Sequence, residues 1–157
     1  MKKTIAFLFM ILLGMIVQVK AQSLSPKQIK SIESQIDSSF NMMLALAEKF
    51  DYDQMNQGVD DHHKAGFLVN EKYYADYATL IAAVKTGAQG ISEQKIVISE
   101  KKITVLSNRI ALLTTHGIST VNLTDGREFS GDFYWSFVYE KIDGEWKVIQ
   151  SHQSRGR

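Results

Sequence analysis

Arg127-Glu-Phe-Ser-Gly-Asp-Phe-Tyr-Trp-Ser-Phe-Val-Tyr-Glu-Lys-Ile142, then Asp143-Gly144, then Glu145-Trp-Lys-Val-Ile-Gln-Ser-His-Gln-Ser-Arg155, is the stretch that decides the fold. Apolar and polar residues alternate on both sides of the Asp-Gly pair. Alternation marks strands, and Asp-Gly between two strands marks a tight hairpin. A second Asp-Gly pair, at 125–126, joins the run to another alternating segment, 109–124. Ser107-Asn108 is a plausible turn before that, and 95–106 is rich in β-branched residues at period two. The second half of the chain therefore reads as a meander of four long antiparallel strands.

Upstream of the meander the period changes. Ser25-Pro26 pairs a capping residue with proline at the first helical position. Ile29, Ile32, Ile36, Phe40, Met43, Ala47 and Phe50 then recur at steps of three and four, which predicts a long amphipathic helix to about Phe50. Asp51 or Asp53 can cap a second helix running to about Lys64, with Gly66 as its stop. Phe67-Leu-Val, Asn70-Glu71 and Lys72-Tyr-Tyr74 form a small hairpin. Asp76 caps a third helix that carries Tyr77, Leu80, Ile81 and Val84 on one face and ends at Gly87. The expected class is α+β: three N-terminal helices packed on one face of a strongly bent antiparallel sheet.

The first residues read as an address. Met1-Lys-Lys3 is a basic start, an apolar run follows, and Val19-Lys-Ala21 supplies small residues where a signal peptidase reads. Cleavage after Ala21 would leave a domain over 22–157, with a periplasmic or secreted destination and no membrane segment. It removes three lysines and no acid from 18 basic and 17 acidic residues, so the net charge turns slightly negative. That argues against a nucleic-acid partner. With no cysteine in 157 residues there is no disulfide framework, thiolate metal site or cysteine nucleophile.

Register places the candidate site. If both Asp-Gly pairs are two-residue turns, Thr124 faces Arg127 and Ile142 faces Glu145. Three strands then read in rows: Ile118, Phe133 and Ser154; His116, Trp135 and His152; Thr114, Phe137 and Gln150; Leu112, Tyr139 and Val148. These face the helices. Thr115, Ser119, Ser136, Glu140, Lys147, Ser151 and Gln153 form the opposite, wetter face. A β-bulge would invert part of this assignment, and Gly117 or Gly131 could mark one.

The segment from Phe133 to Ser154, with Asp-Gly-x-Trp at 143–146 and His-x-Ser at 152–154, resembles the closing hairpin of the nuclear transport factor 2-like superfamily. It is most similar to the SnoaL-like branch of small bacterial proteins. Phe67-Leu-Val-Asn-Glu-Lys-Tyr-Tyr74 leading into a helix is similar to that branch's early hairpin. The resemblance implies a conical α+β barrel with a pocket at its wide end, and frequent homodimers. It does not imply a reaction, since the superfamily spans isomerases, dehydratases, cyclases and transport adaptors. Its steroid-isomerase-like members use a pocket aspartate as base, whereas Asp132 and Glu140 fall on the outer face in the register above.

The candidate catalytic residues are His116 and His152, as a proton-transfer pair flanking Trp135; the alternative is two packed, hydrogen-bonded histidines. The candidate ligand contacts are Trp135, Phe137, Tyr139, Gln150, Thr114 and Phe133. Trp146, beside its turn, reads as structural and packed on the first helix. Asp60-Asp-His-His63 suggests a metal cluster, but neighbours on a helix diverge, so the expectation is no metal. No cofactor is expected either: phosphate loops, nucleophile elbows and His-Glu-x-x-His are absent from the sequence. The function these residues point to is an exported, non-catalytic protein with a pocket for a small apolar ligand. The alternative is a cofactor-independent lyase or isomerase using the two histidines.

Overall fold

Helix α1 (Pro26–Glu48) opens the computed structural model, which describes residues 23–156. The export segment expected over 1–21 lies outside the described residues. Ser25 caps α1 in a reciprocal box: its hydroxyl accepts from the Gln28 amide at 3.3 Å, and the Gln28 side chain accepts from the Ser25 amide at 2.9 Å. Ile32, Ile36 and Phe40, one turn apart, are its buried stripe. The helix stops two residues before Phe50. Phe50 takes a left-handed φ of 58°, and the Phe50 and Asp51 amides return to the carbonyls of Ala47 and Leu46. That is a Schellman closure built on a residue other than glycine.

Asp51 caps α2, accepting from the Gln54 amide at 3.1 Å, but α2 (Tyr52–Met55) is one turn long and passes into a 3-10 turn, Asn56–Gly58. The expected helix to Lys64 does not form. Val59 is extended and bridges Val148, and the Asp60 amide donates to the Val148 carbonyl at 2.9 Å. Pairing with the strand that carries Val148 thus takes the place of further helix. Gly66 is not a helix stop. It has φ of 77° at the entry to the small hairpin, where a Cβ would lie 2.5 Å from the Tyr73 ring.

Strands β1 (Phe67–Val69) and β2 (Lys72–Tyr74) form that hairpin around Asn70 and Glu71, both with positive φ, as a two-residue primed turn requires. Helix α3 (Tyr77–Gly87) is capped by Asp76, which accepts from the Thr79 amide at 2.8 Å. A second carboxylate, Asp61, accepts from the Tyr77 amide at 2.9 Å. The meander follows as β3 (Ile91–Val105), β4 (Ile110–Leu123), β5 (Glu128–Ile142) and β6 (Glu145–Arg155).

The class is α+β as read from the sequence, with three helices on one six-stranded sheet ordered β2-β1-β6-β5-β4-β3. The long strands are antiparallel throughout. The small hairpin joins through a parallel β1–β6 pair, which makes the sheet mixed, and β2 and β3 remain as open edges. A backbone donor of edge strand β3 is answered by α1: Ile96 N–H donates to the Glu48 carboxylate at 2.7 Å. The core lies between α1 and the sheet, where Ile32, Ile36 and Phe40 meet Leu113, Phe137, Tyr139, Trp146 and Val148. Trp146 is structural, as expected: its indole N–H donates to Gln35 of α1 at 2.9 Å.

Register departs from the sequence reading in two places. Between β4 and β5 the loop holds three residues, Thr124-Asp-Gly126. Leu123 N–H donates to the Arg127 carbonyl at 2.8 Å, and Gly126 takes φ of 87°. This is the hairpin in which a turn is followed by a left-handed glycine. Asp125 reinforces it, accepting from the Arg127 amide and from its guanidinium at 3.1 and 2.9 Å. Between β5 and β6 the two-residue turn at Asp143-Gly144 forms as expected, and Ile142 faces Glu145. The pairing then shifts between Val138 and Tyr139, and Ile149 is the extra residue of β6.

A slip of one residue turns every affected side chain to the other face. Trp135 therefore pairs with Thr115 and Gln153, not with His116 and His152. Two further shifts lie in β3, at Ile91/Glu93 and Ile98/Glu100. Gly117, opposite Ile98, adjoins the second of these, whereas Gly131 marks none.

Candidate functional site

Between the helices and the inner face of the sheet lies a cavity of about 400 Å³. Its floor is β5. Phe133 and Trp135 stack with ring centres 3.9 Å apart, and Phe137 meets Trp135 edge-on at 6.3 Å. Met43, Leu44 and Ala47 of α1, Met55 of α2, and Leu80, Ile81 and Val84 of α3 form apolar walls. The helical stripes that bury the core thus continue past it and cover an opening. A concave, mostly apolar space with a few polar groups is the usual form of a small-molecule site.

The polar groups come from β6, β4, the tyrosines, Asn70 and Lys72 of the small hairpin, and Gln94 of β3. Ser151 is 2% exposed, and the Gln153 amide donates to its hydroxyl at 3.2 Å. Ser119 and Arg155 also reach the lining. The Tyr77 hydroxyl is buried without a hydrogen-bond partner among the described residues. Desolvation pushes its pKa up to about 12, so it is a neutral donor at physiological pH. Burial also raises Tyr52, on the α2 side of the cavity. Among the described residues lining this space there is no aspartate, glutamate or histidine.

Three of the residues selected from sequence lie here: Phe133, Trp135 and Phe137. Tyr139 points to the same side but is 1% exposed within the core, its hydroxyl also without a partner among the described residues. The expectation that His116, His152, Thr114 and Gln150 face the helices is corrected by the register. His116 lies across from Tyr134, with ring centres 6.0 Å apart, and reaches Glu100 at 3.3 Å. His152 and Thr114 both lie across from Ser136. Gln150 lies across from Val138, and its amide donates to the Ser151 carbonyl. The two histidines do share a face, but it is the one turned away from the helices, where they border a shallow open depression with Glu100, Tyr134 and Ser154.

Ser119, Ser151 and Gln153 were assigned to the wet face for the same reason, and they line the cavity. One signal for this is visible in the chain. Val148 and Ile149 are adjacent apolar residues, and both are buried. Two such neighbours in an alternating strand mark a bulge. In the sequence Tyr77 marks only a helix face; its hydroxyl, without a partner among the described residues, carries no local signal.

Comparison with known proteins agrees with this geometry. A family model for a SnoaL-like domain matches residues 36–156. No curated protein matches the chain. Among solved structures, a nuclear transport factor 2-like superfamily protein from Salmonella enterica has a TM-score of 0.73 at 16% identity, covering 82% of this chain and 94% of its own. A type 2 hexachlorocyclohexane dehydrochlorinase has a TM-score of 0.72 at 12% identity, covering 85% and 90%. The association domain of CaMKII from C. elegans has a TM-score of 0.64 at 13% identity, covering 80% and 96%. At these identities the likeness is one of fold.

Proposed function

The chain belongs to the SnoaL-like domain family, and on that premise we propose that it is an exported, non-catalytic protein that holds a small apolar ligand in the cavity above β5. One observation carries the reading. The cavity has an aromatic floor and aliphatic walls, while no carboxylate or imidazole lines it among the described residues. Proton abstraction at neutral pH needs a base with a pKa near the working pH, and burial keeps the phenols of Tyr52 and Tyr77 protonated there. Ligand contact is assigned to Phe133, Trp135 and Phe137. Tyr77, Ser151 and Gln153 would orient one hydroxyl or carbonyl group on an otherwise apolar body. Export rests on the Met1–Ala21 pattern, with a periplasmic or secreted destination.

Titration with N-phenyl-1-naphthylamine, a neutral apolar fluorophore, tests the binding reading. The protein should bind it, and Trp135→Ala should weaken binding at least tenfold while circular dichroism is unchanged. His116→Ala and His152→Ala should leave it unchanged. Equal affinity in Trp135→Ala would overturn the assignment. A base-dependent turnover abolished by His152→Ala would restore the lyase or isomerase reading.

The same reading includes a homodimer. Val97, Ile118 and Tyr134 are 49%, 44% and 54% exposed, and Val97 pairs directly with Ile118 on the face turned from the helices. Apolar side chains grouped on a bare sheet face suit a second sheet. Light scattering of Ile118→Lys and Tyr134→Lys, alone and together, should show a shift to monomer.

A further inference from the structure

Asp60 to Lys64 forms no helix, with His62 and His63 in a turn, and this changes what the two histidines can do. Adjacent residues on a helix diverge; here the two imidazoles lie with ring centres 3.8 Å apart. Asp60 holds the first. One carboxylate oxygen accepts from the His62 amide at 2.9 Å and contacts its ring Nδ1 at 2.7 Å. That fixes the ring and leaves Nε2 as its outward nitrogen. His63 Nε2 lies 2.6 Å from Oε2 of Glu140, seventy-seven residues on. The Glu140 side chain is only 11% exposed, and Arg109 occupies its other oxygen, Oε1, at 3.1 Å. One ligand atom from each of His62, His63 and Glu140 lies within 4.8 Å of the other two.

We propose that His62, His63 and Glu140 form a binding site for a divalent first-row cation of the Zn²⁺ type, separate from the apolar cavity. Two imidazoles and one carboxylate are a donor set that Zn²⁺ takes with a fourth position open to water. Bond lengths of about 2.0–2.2 Å to a tetrahedral ion put ligand atoms about 3.4 Å apart. The His63–Glu140 pair, at 2.6 Å, is closer than that, and all three ligand atoms lie within 4.8 Å of one another. The half-exposed His63 imidazole can rotate while Asp60 holds that of His62, so the ion enters by replacing the His63–Glu140 contact. The surrounding shell is already built. Asp60 on His62 is the carboxylate–histidine pairing that orients metal-bound imidazoles. Arg109 holds Oε1 and so presents Oε2 as a single-oxygen ligand. Of the neighbouring lysines, Lys64 is engaged by Asp61 at 3.1 Å, and Lys147, across from Glu140, by Glu145 and the Gln57 carbonyl. None of the three proposed ligands lines the cavity.

Equilibrium dialysis of the untagged protein against ZnCl₂, with Co²⁺ absorption as a geometric readout, tests this. One equivalent of Zn²⁺ should bind at micromolar concentration, and Co²⁺ should give the visible bands of a low-coordinate site. His62→Ala, His63→Ala and Glu140→Gln should each lower affinity at least tenfold. His116→Ala and His152→Ala should not change it. His62 is exposed and hydrogen-bonds only to its neighbour Asp60 among the described residues, so His62→Ala stays informative if Glu140→Gln fails to fold. Absence of stoichiometric binding by the unmodified protein, or equal binding by folded His62→Ala and His63→Ala, overturns the proposal.

Discussion

Gln153 lies directly across from Trp135, so an amide stands beside an indole at the floor of the cavity. The amide is held by the Ser151 hydroxyl. A buried polar group without a ligand partner penalises a purely hydrocarbon guest and favours one that can hydrogen-bond. Gln153→Leu should therefore bind naphthalene several-fold more tightly and 1-naphthol several-fold more weakly than the unmodified protein. Competition against the naphthylamine probe measures both; a parallel change for the two ligands would sink the orienting role.

The clamp of α1 on the sheet runs through Phe40, which is fully buried and meets Phe137 with ring centres 5.7 Å apart. Truncating a buried aromatic leaves a hole as well as losing transfer energy. Phe40→Ala should cost about 3–5 kcal/mol in urea unfolding. Because Phe137 also lines the cavity, probe affinity should fall in the same variant.

Two glycines of the meander should respond oppositely to alanine. At Gly117 a Cβ would sit 2.0 Å from the Val97 carbonyl and 2.9 Å from the Phe133 ring. The carbonyl belongs to a paired strand and cannot swing aside, so Gly117→Ala should destabilise by about 1–3 kcal/mol or more. At Gly131 nothing lies within 4 Å of the added carbon, and Gly131→Ala should stay within about 0.5 kcal/mol of the parent or gain slightly. Thermal unfolding of the pair checks both.

Tyr77 and Tyr139 set an alkaline limit. Burial raises both phenols, Tyr77 from the ordinary value of 10.0 to about 12. A folded-state pKa above the unfolded one means the native state resists losing the proton. Stability from this source is fully present below about pH 10 and declines as pH rises toward 12. Tyrosinate absorbance should show the last phenols ionising only as the fold is lost. Tyr77→Phe should move the alkaline midpoint upward. A single smooth titration near pH 10 would falsify the burial of these hydroxyls.

The elements were largely legible in the chain, and the faces were not. Ser25-Pro26, the stripe from Ile29 to Phe50, Asp76 and the Asn70-Glu71 pair each carry a local signal, and each element formed within a few residues of its expected bounds. The α2 segment failed because its end is decided by a partner distant in sequence: Val59 pairs with Val148. The candidate site failed in half its members because strand parity is a cumulative quantity. One extra loop residue at Thr124 and one extra strand residue at Ile149 inverted His116 and His152 together, and brought Ser119, Ser151 and Gln153 inward. β5 carried no insertion on its own strand, and its aromatics Phe133, Trp135 and Phe137 were placed correctly.

The bulge at Ile149 makes the ligand site a matter of reading frame. Upstream of it, β6 gives Trp146 and Val148 to the core; downstream, the same strand gives Ser151 and Gln153 to the cavity, with His152 turned to the far side. Deleting that single residue would substitute none of the residues now in the cavity wall, yet it would exchange one alternate set for the other and bring an imidazole to where the amide now stands. A protein of this design can bring an imidazole into its cavity by gaining or losing one residue in a strand, without a substitution at the site itself.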